Sequence, residues 1–253
     1  HAVGDKRVDA VVVAVGVDRD GAGVDDAALA LALGLRLLGG RLLDIGCGKG
    51  EAALLAQTEF GLTVTAVDVD KDAVESAAAR GLDARVMDAS ALEFPSRSFD
   101  IVMMECVFSA LERQEESIHE AICMLRPGGA LILSDVYHRN PDLNRWRQEA
   151  KQARALWRQP HKEGDCGKHD PLPSPYCLDG LPVIPGLQAL LEELQMEITL
   201  FEDRTEDLKA FMGQAIFDSG SVEAWFRAQG GWIPDRLYNK DTGYFLLLAQ
   251  KHA

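Results

Sequence analysis

Between residues 41 and 137 short apolar runs alternate with helical stretches, and this rhythm restricts the fold more than any other feature. "RLLDIG" reads as a buried strand, "EAALLAQTEF" as a helix, and "LTVTAVDVD" as a strand rich in β-branched residues. "KDAVESAAARG" follows as a helix closed by Gly81, then "ARVMDA" and "FDIVMMECV" as strands. "QEESIHEAICMLRPGG" reads as an amphipathic helix stopped by Pro-Gly-Gly, and "ALILSDVY" as a strand. Strands that are apolar along their whole length have no solvent face. Alternating with helices, they predict a parallel sheet covered on both sides. Beyond the core, "MEITLFEDR" and "TGYFLLLAQ" supply two more strands. The expected fold is α/β: a doubly wound, mostly parallel, seven-stranded sheet.

The rhythm stops at Asn140-Pro141. Residues 141–185 hold a helical stretch, "NRWRQEAKQARALWRQ", and a proline-rich loop. A loop of that length within a compact domain points to a functional insertion. The expected division is an N-terminal helical segment over 1–40, a ligand-binding core over 41–140, an inserted cover over 141–185, and completion of the sheet over 186–253. The run "DAVVVAVGV" at 9–17 fits a strand or a buried helical turn equally well. Trp146 and Trp157 are three helical turns apart and can share one face, either as a lid or packed on the sheet.

The formal net charge of −14 opposes phosphate backbones and anionic lipid, so no nucleic-acid or membrane partner is expected. The start of the chain lacks the shape of a signal peptide. The five cysteines, an odd number, do not suggest a disulfide scaffold, which favours a reducing cytoplasm.

In an open α/β sheet, ligands sit beyond the carboxyl ends of the strands. Polar residues stand at four such ends: Asp44 to Gly50, Asp68, Asp88, and Glu105-Cys106. The glycine loop "DIGCGKG" excludes two familiar ligands. A P-loop needs a glycine where Leu43 stands and a hydroxyl where Gly50 stands. The dinucleotide fingerprint needs a third glycine where Glu51 stands, and Glu51 at a helix start opposes a pyrophosphate. S-adenosylmethionine (SAM) carries no phosphate, and acidic surroundings suit its sulfonium.

In order and spacing, "LLDIGCGKG", "VTAVDVD", "VMDASALEFPSRSFDIV" and "EAICMLRPGGALILSDV" resemble the motifs of class I SAM-dependent methyltransferases of the type 11 kind. The resemblance covers roughly residues 41–137. It implies that Asp44, Gly46 and Gly48, with Cys47 inside the same loop, hold the methionine end of SAM. It further implies that Asp68 takes the ribose, Val69 packs on adenine, and Asp88 with Ala89 meets the adenine amino group. Glu105 completes that set and faces the acceptor side.

For the acceptor, the groups near the methyl are Glu105, Cys106, Tyr137, His138 and the 141–185 segment. "DIVMMECVFSAL" and "YCLDG" also resemble stretches of arsenite methyltransferases, in which two cysteines bind the substrate. That resemblance makes Cys106 and Cys177 a candidate thiol pair, beside Glu105, for a thiophilic acceptor such as trivalent arsenic. It is partial: no cysteine precedes Cys47, and Glu105 stands where those enzymes usually carry Asn. The plain alternative is that Cys106 is a small core residue and Cys177 a loop residue. His161, Cys166, His169 and Cys177 share one loop, but their intervals match no standard structural zinc pattern, and no metal is assigned. The expected activity is methyl transfer to a small molecule. A non-catalytic SAM-binding module and a protein methyltransferase are the alternatives.

Overall fold

The computed structural model describes residues 40–157, 174–178, 181–228 and 241–252. The core alternates strands and helices in the expected order: β1 (Arg41–Ile45), α1 (Glu51–Phe60), β2 (Thr63–Asp68), α2 (Lys71–Ala79), β3 (Asp83–Val86) and β4 (Phe99–Glu105). A 3₁₀ turn (Phe108–Ala110), α3 (Gln114–Met124) and β5 (Leu125–His138) follow. The inserted part contributes α4 (Leu143–Trp157) and a two-stranded ribbon, β6 (Cys177–Leu178) with β7 (Leu181–Pro182). The chain continues through α5 (Ile184–Glu193), β8 (Met196–Asp203), α6 (Thr205–Ser219), α7 (Val222–Ala228) and β9 (Thr242–Lys251).

The main sheet has seven strands in the order β3-β2-β1-β4-β5-β9-β8. The β1–β2, β1–β4, β2–β3 and β4–β5 pairs are parallel, while β9 runs antiparallel to both β5 and β8. The direction of winding reverses between β1 and β4, and a cleft opens beyond the strand ends at such a reversal.

Each apolar strand divides its residues between two faces, as a period of two requires. Leu43, Val102, Leu131, Leu133 and Leu247 face Ile118 and Ile122 of α3 and Leu187 and Leu190 of α5. Leu42, Ile101, Ile132 and Leu248 face Ala53 and Ala56 of α1 and Ala77 of α2. Each of these buried leucines or isoleucines is worth about 1.5–3 kcal/mol of transfer from water. A third cluster joins Cys106 and Tyr244 to Leu208 and Ala215 of α6 and Val222 of α7.

Two boundaries differ from expectation. Pro-Gly-Gly does not lie between α3 and a later strand. The strand begins at Leu125, which pairs with Phe99, and the register then shifts before Ile101 meets Ala130. The glycines sit inside that irregularity. A Cβ on Gly129 would lie 2.9 Å from the Arg126 carbonyl oxygen and 3.0 Å from that of Asp100. The third strand ends at Val86, before Met87 to Ala89. There Asp88 turns the chain by accepting hydrogen bonds from the Ser90 N–H (2.8 Å) and hydroxyl (2.6 Å).

Candidate functional site

A cleft open to solvent, with a cavity volume of about 50 Å³, lies at the winding reversal. Four strand ends build it: Ile45 and Gly46 after β1, Val67 to Val69 after β2, Met87 and Ala89 after β3, and Val107, Ala110 and Leu111 after β4.

The glycine loop owes its shape to what glycine lacks. Gly46 has φ +75°, and a Cβ there would stand 2.5 Å from Val107 Cγ2. Gly50 has φ +83°, and its Cβ would stand 2.5 Å from Leu82 Cδ1. The loop folds inward with its own amides. The N–H groups of Gly46 (2.8 Å) and Cys47 (3.0 Å) both donate to the Val67 carbonyl. The Gly48 N–H donates to Asp68 Oδ2 at 2.9 Å. Three amides are therefore engaged by the protein itself. What the loop offers a ligand is close approach and the placement of Asp68, not a ring of vacant donors. Cys47 is buried in the core cluster under α1, with its thiol 3.5 Å from the Gly48 carbonyl. Glu51 opens α1 and pairs with Arg80 at 2.7 Å.

Asp68 ends β2. Its second carboxylate oxygen accepts from the Asp70 N–H at 2.9 Å, which fixes the plane of the group. Burial raises its pKa, and the amide bonds from Asp70 and Gly48 oppose that shift. Asp44 is more extreme. It is 2% exposed, and Oδ2 has no hydrogen-bond partner among the described residues. Burial, and next the charge of Asp68, push its carboxyl up to about 7. A buried acid with an unmet oxygen suits a cationic, hydrogen-bond-donating group.

Ala89 lines the cleft and is buried, and Val69, 55% exposed, offers it an open apolar surface. Asp88 binds Arg113 at 2.8 Å. Burial works against its charge, but the Ser90 donors and Arg113 hold its carboxyl below the ordinary value.

The acceptor-side residues fall in several surroundings. Glu105 closes β4 and is buried. Cys106, next in sequence, adopts φ +51°, uncommon for a side-chain-bearing residue and held here by its N–H bond of 2.7 Å to the Ser134 carbonyl. Its sulfur is 3.5 Å from the Tyr244 hydroxyl, within the α6–α7 cluster. The Cys177 thiol instead donates to Gln114 Oε1 at 3.1 Å, and Gln114 Nε2 donates to the Phe108 carbonyl at 3.0 Å. Each thiol thus has its own polar partner. Tyr137 stands in an aromatic group with Phe201 and Phe245, and His138 is buried at the end of β5. None of these five side chains, Glu105, Cys106, Cys177, Tyr137 and His138, lines the cleft.

Of the inserted segment, α4 packs on the β6 ribbon and α5. Trp146 Nε1 donates to the Pro175 carbonyl at 3.2 Å, and its ring leaves no room for a side chain at Gly186. Among the described residues, 141–185 adds nothing to the cleft lining. The Trp157 side chain and His161, Cys166 and His169 lie outside the described residues. Among those described, no group of three or more His, Cys, Asp or Glu side chains is placed to hold a metal ion. No described helix is long and apolar enough to cross a membrane.

Sequence reasoning placed Asp135 at the end of the fifth strand but gave neither it nor Ser109 a role in the site. Asp135 is 1% exposed, and its carboxylate accepts from the Ser109 N–H, the Ser109 hydroxyl and the Val136 N–H, each at 2.7 Å. The available signal was an acid inside an otherwise apolar strand, "LILSDVY".

Residues 43–133 match the family described as methyltransferase domain. The chain is 39% identical over 105 residues to the 27-O-demethylrifamycin SV methyltransferase of Amycolatopsis mediterranei, covering 38% of this chain and 39% of that protein. It is 29% identical over 115 residues to the arsenite methyltransferase of Aquipseudomonas alcaligenes, covering 39% of this chain and 33% of that one. The chain thus spans about two fifths or less of the length of these curated relatives. Among solved structures, the [4+2]-cyclase SpnF superposes with a TM-score of 0.61 at 24% identity, covering 90% of this chain and 82% of that one. Phosphoethanolamine N-methyltransferase 2 of Haemonchus contortus, in complex with SAM, gives 0.63 at 19% identity, covering 90% and 53%. At these identities the structural likeness concerns the fold.

Proposed function

We propose that this chain, whose residues 43–133 match the methyltransferase domain family, binds SAM in the cleft beyond β1, β2 and β4 and transfers its methyl group to a small molecule. The observation that carries the reading is Asp44: a buried carboxylate with an unmet oxygen, in β1 just before the glycine loop, behind the cleft lining and within the field of Asp68. Such a group fits the ammonium of an amino-acid moiety and, through its charge, a neighbouring sulfonium. When bound, SAM supplies an electrophilic methyl group. Asp68, already oriented by two amides, accepts from the ribose hydroxyls. Val69, Met87 and Ala89 form the adenine slot, with Asp88 at its rim as acceptor for the amino group.

The chain's part in the transfer is to align the acceptor and exclude water. Glu105 and Cys106 stand at the end of the strand next to the donor loop. The 141–185 segment is the proposed cover, and a small-molecule acceptor fits both the acidic chain and such a lid. No nucleic-acid or membrane partner and a cytoplasmic setting belong to the same reading. A thiophilic acceptor is favoured by one relative, the arsenite methyltransferase, together with Cys106 and Cys177. For such an acceptor both thiols must leave their present partners, Tyr244 and Gln114, and bind the soft centre as thiolates.

The test is a turnover assay. The protein is incubated with SAM and a panel of small alcohols, carboxylates, amines, and arsenite with glutathione. Release of S-adenosylhomocysteine with an acceptor that gains one methyl group supports the reading. Binding of SAM with no product from any class favours a non-catalytic module, and absence of SAM binding overturns the proposal.

A further inference from the structure

We propose that Asp135 is a positioning residue for the donor: its carboxylate ties the turn after β4 to β5 and so fixes one wall of the cleft. This rests on the reading of the cleft as a SAM site. The wall is made by Val107, Ala110 and Leu111, which bracket the 3₁₀ turn Phe108–Ala110. That turn is short and exposes backbone polar groups of its own. Its anchor is a buried acid on the neighbouring strand. Ser109 donates twice, through N–H to Oδ2 and through Oγ to Oδ1, both at 2.7 Å. The Val136 N–H adds a third bond at 2.7 Å. The same wall meets the glycine loop, because Val107 fills the space that a side chain on Gly46 would need. A displacement of the turn is thus transmitted to both sides of the cleft.

An ionised carboxylate can accept all of these bonds, whereas a protonated one gives up acceptor capacity. Burial pushes the Asp135 carboxyl up to about 6, with the bonds from Ser109, Val136 and Phe108 opposing it. The titratable groups on the elements packed around it are Glu105 and Cys106 at the end of β4, Tyr137 and His138 on β5, and Tyr244 on β9. The upward shift stems first from burial, against which the hydrogen bonds act. Between its unfolded value near 4 and about 6, the folded chain holds the extra proton. Acid therefore favours the fold through this group while loosening the wall. A fall in donor affinity without a fall in melting temperature separates the two effects.

The experiment is calorimetric titration of SAM into the parent protein, Asp135→Asn and Ser109→Ala from pH 5 to 8, with amide exchange of residues 107–111. At pH 8 both variants should bind about tenfold more weakly, the worth of a hydrogen bond to a charged group. The ratio of Asp135→Asn to parent should shrink toward one below pH 6, because the parent is then neutral too. Asp44 and Asp68 titrate in both proteins and cancel in that ratio. Exchange at 107–111 should be faster in both variants without ligand, a readout that stands whether or not SAM is the donor. A ratio that is one at every pH, or equal exchange in all three proteins, overturns the positioning role. No SAM binding by the parent instead overturns the reading of the cleft.

Discussion

The cleft proposed for the donor and the side proposed for the acceptor are built differently. The cleft is made by the backbone at the ends of four adjacent strands, and its acid is held by backbone amides, one two residues away and one 20 residues away. That acid is Asp68, between Gly48 and Asp70. On the proposed acceptor side, the two candidate thiols meet polar partners over long sequence separations. Cys177 reaches Gln114, 63 residues away, and Cys106 reaches Tyr244, 138 residues away. Strand-end geometry is common to the fold and tolerates little change. Long-range side-chain contacts can be altered without disturbing the sheet. On the proposed reading, the donor cleft is the fixed part of the molecule, and the acceptor side is where one chain can differ from another with the same fold.

Perturbations of the two sides should therefore differ sharply. The largest effect is expected from Gly46→Ala. Its Cβ meets Val107 at 2.5 Å in a left-handed conformation, which costs roughly 1–2 kcal/mol of backbone strain beside the clash. SAM affinity, measured by calorimetry, should fall by about a hundredfold or more. Gly81→Ala is the control: φ is +91° but nothing lies within 4 Å of the added carbon, so it should lose stability and keep its donor affinity.

A smaller effect is expected at Asp44. Its carboxyl sits near 7, so a cationic ligand should bind more tightly as pH rises through that value and release a proton on binding below it. The sign for the fold is opposite. The folded chain holds the proton between the ordinary value of 3.8 and about 7, so this group's contribution to stability declines as pH rises across that window. Calorimetry in two buffers of different ionisation heat measures the proton release. Asp44→Asn should abolish it and weaken SAM by about tenfold. Proton release unchanged in the variant would place the linked group elsewhere.

The smallest effect on donor affinity is expected from Cys106→Ser and Cys177→Ser, at most about twofold, since neither thiol lines the cleft. If the acceptor is trivalent arsenic, both variants lose its methylation while still binding SAM. Equal methylated product from the parent and both variants removes the thiol pair and leaves a different small acceptor.

The same contrast governs what the sequence discloses. The inner strands were legible because their apolar runs are continuous and bounded by turn or helix signals, whereas β3 and β8, which are partly exposed, are marked by their boundaries and by alternation. Asp44, Gly46 and Asp68 were legible because their places follow from strand ends alone. The role of the loop amides was not, since Gly46 and Cys47 donate to Val67 across a parallel pair, a contact set by register and not by spacing. Asp135 was given no role because its partner, Ser109, lies 26 residues away on a turn that no periodicity marks. Pro-Gly-Gly was misplaced as a helix stop because a shift of register inside a strand uses the same residues as a turn.

The central claim is that the cleft beyond β1 and β2 is a SAM site in which Asp68 holds the ribose. Titration calorimetry of SAM into the parent protein and Asp68→Ala tests it most directly. A charged hydrogen bond is worth about 1.5–3 kcal/mol, so the variant should bind roughly tenfold to a hundredfold more weakly. An unchanged dissociation constant in Asp68→Ala, with the variant folded by circular dichroism, would contradict the account.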